Sequence, residues 1–104
     1  MGKVGLNAII ELDSEFGREI GFTSDKFEGY LWLDEDRIVI SAIESKHEGR
    51  GNLSELFERI WSMGFKVAVP TPMAKMEFIL RKKGFKRTEE WFPEADSMCE
   101  VWVR

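Results

Sequence analysis

The sequence predicts a single mixed α/β (α+β) domain: an N-terminal helix and hairpin, a central βαβ unit, and a C-terminal helix and β-hairpin. Three observations lead there. β-Branched residues concentrate in Ile38 to Ile43 and again in Phe65 to Pro70, as strands require. Between them Leu53, Leu56, Phe57, Ile60 and Trp61 recur at helical spacing and stop at Gly64, so a helix with one buried face joins the two strands. The chain has 104 residues, which suffices for one core and not for two.

Taken in order, Leu6, Ile9, Ile10, Asp13, Phe16 and Ile20 approximate a helical stripe, and the spacing predicts a helix from Asn7 to Gly17. Glu28 to Leu33 and Arg37 to Ser45 flank Asp34, Glu35 and Asp36, the pattern of an antiparallel hairpin with a solvated acidic turn. A glycine turn follows, then a helix over Asn52 to Met63, with Gly64 suited to the left-handed stop. Phe65 to Pro70 reads as a strand parallel to Arg37 to Ser45. Thr71 before Pro72 has the chemistry of an N-cap followed by the residue favoured at the first helical position. That helix is expected over Pro72 to Lys83, with Met73, Met76, Ile79 and Leu80 inward and Gly84 ending it. Arg87 to Phe92 and Ser97 to Val103 then flank Pro93 to Asp96 as a closing hairpin.

Composition excludes several classes of function. Fifteen basic residues against nineteen acidic ones leave a net charge of −4, which argues against wholesale attraction to nucleic acid or to an anionic membrane. No apolar run approaches the roughly 20 residues a membrane span needs. The single cysteine, Cys99, excludes an internal disulfide framework, and the paired Cys and His spacings of a structural zinc site are missing. No metal is expected, and a reducing, cytoplasmic setting fits best. Four Trp and eight Phe supply large core side chains.

The stretch carrying chemistry is the turn ahead of the central helix, running from Lys46 through His47, Glu48, Gly49, Arg50, Gly51 and Asn52 to Ser54. Glycines permit positive φ and close approach of a ligand to the main chain. The helix behind them offers unpaired N–H groups at the positive end of its dipole, so the turn is a candidate seat for an anion such as pyrophosphate. The plain alternative is a turn that merely needs glycine. His47 is the one side chain that titrates near neutrality without perturbation; it is either a loop histidine or a catalytic group. Trp91 and Phe92 are candidates for an acceptor pocket or a homodimer contact, and the basic run Arg81 to Arg87 is explained by a helix C-terminus or by contact with an anion.

Strand, glycine turn, helix to Gly64, strand to Pro70 and a helix closing on Lys83, Gly84 and Phe85 together resemble the GNAT N-acetyltransferase superfamily over about residues 30–104. The resemblance rests on Gly49 and Gly51, on Leu56 seven positions after Gly49, and on the Gly84-Phe85 pair. It implies a GNAT-like mixed sheet that binds acetyl-CoA or a related acyl-CoA. The loop from Glu48, Gly49, Arg50 and Gly51 to Asn52, Leu53 and Ser54 would hold the pyrophosphate. The main chain at Ile43 and Ser45 would pair with the pantetheine amides. The implied reaction moves an acetyl group to an amine on a small molecule or a protein, with Glu44 as the general base. The sequence departs from the family's pattern at three points. Glu48 stands where Arg or Gln is usual, Leu53 where a small residue is usual, and Leu80 where a tyrosine commonly serves as general acid. Residues 1–29 are also shortened relative to the family. The alternative implied by these departures is a catalytically inactive GNAT-like interaction or regulatory module.

Overall fold

The computed structural model describes residues 8–47, 51–92 and 96–104. In chain order the elements are β1 (Ala8–Ile10), α1 (Glu15–Ile20), β2 (Phe27–Asp34), β3 (Arg37–Ser45), α2 (Asn52–Ser62), β4 (Lys66–Pro70), α3 (Ala74–Lys82), β5 (Lys86–Phe92) and β6 (Ser97–Val103). The strands form one six-stranded sheet in the order β1-β2-β3-β4-β6-β5, antiparallel except for the β3–β4 pair. The mixed α+β class, both hairpins and the central βαβ unit are therefore present as the patterning predicts.

The N-terminal helix is displaced from its expected position. Ala8–Ile10 forms an edge strand on β2, and the helix begins only at Glu15, behind Ser14, whose Oγ accepts from the Gly17 N–H at 3.0 Å. Gly21, at φ 84°, ends it in the left-handed conformation. The periodic stripe spans a strand and a helix that bury neighbouring residues, so Ile10 and Ile20 share one core without sharing one element. Gly17 lies inside the helix and is buried: a Cβ there would stand 2.7 Å from the Glu11 carbonyl oxygen and 3.1 Å from that of Phe22.

The last helix is also shorter than expected. It starts at Ala74 behind Met73, which caps it without a side-chain hydrogen bond, and Thr71 is not its N-cap. Thr71 instead takes φ 38° and donates its N–H to the Glu100 carbonyl at 2.8 Å, extending the β4–β6 contact by one residue. Met76 and Ile79 pack against the core and Leu80 is fully buried, whereas Met73 is 82% exposed, contrary to its predicted inward position. With the helix beginning after Met73, that side chain is off the buried stripe.

All three helices contribute to one core, through Ile20 of α1, Leu56, Phe57 and Ile60 of α2, and Leu80 of α3, packed on Ile38, Ile40, Val67, Val69 and Trp102 of the sheet. The opposite face carries a smaller cluster, Val39, Ala68 and Val101, flanked by Trp32, Phe92 and Val103. No residue among the buried ones described is polar or charged.

Candidate functional site

Two features of β3 shape the site. The first is a bulge. Tyr30 pairs with Ala42 but Trp32 pairs with Val39, so two steps along β2 match three along β3, and the extra residue falls at Ile40–Ser41. Before the bulge, even-numbered Ile38 and Ile40 face the helices; beyond it, Ile43 does. The second feature is the short parallel ladder. β3 and β4 are in register only at Arg37, Val39 and the residue between them, opposite Lys66, Ala68 and Val67. Past those three rungs the strands part.

A cavity of about 680 Å³ occupies the gap. One wall is Ile40, Ser41, Ile43, Glu44 and Ser45 of β3, and the other is Val69 and Pro70 with the Thr71–Met73 turn and Lys75, Met76 and Ile79. The start of α2, from Gly51 to Ser54, closes one end together with His47. Gly51 is the N-cap at φ 80°, with no side-chain hydrogen bond to the helix behind it. Among the described residues the first-turn N–H groups of α2 have no side-chain cap, at the positive end of an eleven-residue helix. The open space around Gly51, where a Cβ would meet nothing within 4 Å, leaves the main chain accessible.

The sequence-derived candidates converge on this cavity: Ile43, Glu44, Ser45, Gly51, Asn52, Leu53 and Ser54 all line it. Glu48, Gly49 and Arg50 lie outside the described residues. Glu44 is exposed and sits directly across the β2–β3 ladder from Glu28, so two carboxylates share one pair of register positions. Leu80 contributes nothing to the lining, being fully buried in the helix–sheet core. The basic run also lies away from the lining. Arg81 pairs with Glu77 at 2.8 Å and stacks 4.9 Å from the Trp102 ring, while Arg87 lies 3.6 Å from Glu89 and 3.5 Å from Glu100.

Sequence reasoning missed the whole second wall. Its signal is present in the topology: a ligand between parted parallel strands must touch the turn after each of them, and the turn after β4 is the Thr71–Met73 segment, whose local chemistry is that of a helix start. The chemistry of the lining is divided. Ile40, Ile43, Val69, Met76 and Ile79 are apolar, and the polar groups gather where α2 begins. Among the described residues no group of three His, Cys, Asp or Glu side chains is placed to hold a metal ion, and no helix is long and apolar enough to cross a membrane. Comparison with family models, with curated proteins and with solved structures finds no match for this chain.

Proposed function

We propose that this chain binds acetyl-CoA, or a related acyl-CoA, in the cavity between β3 and β4, and that it transfers the acyl group to an amine. The observation that carries the reading is the parting of two parallel strands beside a helix N-terminus that has no side-chain cap among the described residues. An elongated ligand with an anionic middle and an amide-bearing, largely apolar arm matches both ends of that site. The first-turn N–H groups at Asn52, Leu53 and Ser54 suit the pyrophosphate. The main chain at Ile43 and Ser45, no longer paired with β4, suits the pantetheine amides by strand addition. A volume of this size lies within the range of about 300–1,000 Å³ usual for small-molecule and cofactor sites.

When bound, acetyl-CoA supplies an activated thioester. The chain's part is to orient it, to polarise its carbonyl and to accept a proton. The β2–β3 register shifts at Ile40–Ser41, on the wall of the cavity, and the main chain of this irregular stretch suits the second task. Glu44 suits the third, directly or through water. The buried Leu80 favours a second reading, a module that binds acyl-CoA or a partner without turnover, since no acid group from that position reaches the cavity.

Calorimetric titration with acetyl-CoA tests the reading. Binding that is lost in Gly51→Glu, with a cooperative thermal melt retained, supports it; failure of the wild-type protein to bind refutes it. With binding established, thiol release over a panel of amines separates the enzyme from the inactive module.

A further inference from the structure

Among the described residues the outermost strand β5 has β6 on one side and no strand on the other, so a seven-residue edge offers unpaired N–H and C=O groups. The opposite edge, β1, has three residues among those described. Edge strands commonly carry charges that discourage pairing. Those of β5 are arranged in a particular way: Lys86 and Arg87 precede Thr88, and Glu89 and Glu90 follow it. The order of sign is reversed about Thr88.

We propose that β5 is the interface of a two-fold homodimer in which Thr88 faces Thr88 of a second copy and the two sheets join edge to edge. In that antiparallel register Lys86 stands opposite Glu90 of the second copy, and Arg87 stands opposite Glu89, each pair occurring twice. Residues directly opposite in an antiparallel ladder point to the same face. The pairs obey this rule, because Lys86, Thr88 and Glu90 alternate with Arg87 and Glu89 along the strand.

The register is also specific. A two-fold axis requires one residue to face its own copy. Centring it one residue earlier sets Arg87 against Arg87, and one residue later sets Glu89 against Glu89. Like charges directly opposite destabilise a ladder, whereas opposite charges stabilise it. The charges that repel an arbitrary strand therefore admit this one. The groups concerned are available: Arg87 and Glu89 side chains are 50% and 58% exposed, and their mutual contact is 3.6 Å. Glu90 is held by Arg37 through both carboxylate oxygens, and each oxygen has acceptor capacity left for Lys86 of the second copy. Trp91, 55% exposed, extends the same edge with apolar surface.

Sedimentation equilibrium over a concentration series tests the proposal, with circular dichroism confirming that each variant is folded. The wild-type protein is expected to dimerise reversibly. Arg87→Glu and Glu89→Arg, each alone, are expected to raise the dimer dissociation constant at least about ten-fold, since each places like charges opposite one another twice. An equimolar mixture of the two variants is expected to restore association as a heterodimer, because one copy then presents two acids and the other two arginines. The double variant Arg87→Glu/Glu89→Arg is expected to dimerise by itself. A wild-type protein that stays monomeric, or a dimer indifferent to both reversals, overturns the proposal. The readout does not involve the cavity and stands apart from acyl-CoA binding.

Discussion

Arg37 donates from its two terminal nitrogens to the two carboxylate oxygens of Glu90, at 2.9 and 2.8 Å, across 53 residues of sequence. Its Nε donates to Asp34 at 3.0 Å. Arg37 lies on β3 and Glu90 on β5, with β4 and β6 between them. Three strand spacings in a flat sheet amount to about 14 Å, so the contact needs the sheet to curl toward this face. Phe92, two residues along β5 from Glu90, packs on the Val39, Ala68 and Val101 cluster of that same face. The clamp thus ties the closing hairpin to the strand that forms one wall of the cavity.

The first prediction concerns pH. Hydrogen bonds from Arg37 hold the Glu90 carboxyl below its ordinary value, against the opposing effect of partial burial. A carboxyl depressed in the folded state binds protons more readily when unfolded, so its contribution is full at neutral pH. It is lost as pH falls below the ordinary glutamate value toward the folded one. Glu90→Gln should cost about 1 kcal/mol at pH 7 and reduce the decline in stability below about pH 4.5. Denaturant titrations of both proteins across the acid range measure this.

Gly17→Ala should be among the most damaging small substitutions. The added methyl meets two main-chain carbonyl oxygens, at 2.7 and 3.1 Å, and the Ser14 oxygen at 2.9 Å, and the carbonyls cannot swing away as a side chain would. A loss of about 2 kcal/mol is expected in urea unfolding.

Thr71→Gly should stabilise the fold. A β-branched residue before proline is disfavoured in the left-handed region, yet Thr71 sits at φ 38° with its N–H fixed on Glu100. Glycine adopts that conformation without the Cβ conflict. A gain of about 1 kcal/mol in chemical denaturation is expected, and an unchanged or lower stability would contradict it.

Trp61→Phe should be nearly neutral for a half-buried tryptophan. Its Nε1 is buried without a hydrogen-bond partner among the described residues, so phenylalanine removes an unpaired donor along with the ring area it loses. The Arg104 guanidinium, 4.1 Å from the Trp61 ring centre, retains an aromatic surface. A change within about 1 kcal/mol is expected, against about 3–5 kcal/mol for Phe57→Ala in the same core. Thermal unfolding of the two variants compares them directly.

Where a pattern was long and regular, local chemistry sufficed. The stripe from Leu53 to Trp61, the β-branched run in β3 and the left-handed glycines at Gly64 and Gly84 placed the central βαβ unit and the ends of its helices. They also brought Ile43, Glu44, Ser45 and the start of α2 into one neighbourhood, because a strand, a tight turn and a helix leave the chain few ways to continue. Residues 8–20 defeated the same reasoning, since Ile10 and Ile20 serve one core from different elements.

Other features had no local signature. The bulge at Ile40–Ser41 is a mismatch between two strands and exists in neither alone. The parting of β3 from β4 follows their last rung at Val39 and Ala68, and it decides that Val69, Met76 and Ile79 face Ile43 across a cavity. Leu80 and Ile79 are adjacent in sequence, yet packing buries one and opens the other to that space. The Arg37–Glu90 clamp likewise required a curled sheet. Short-range chemistry sets what a segment becomes, whereas register, curvature and strand separation are properties of pairs of segments and are set only when those segments pack.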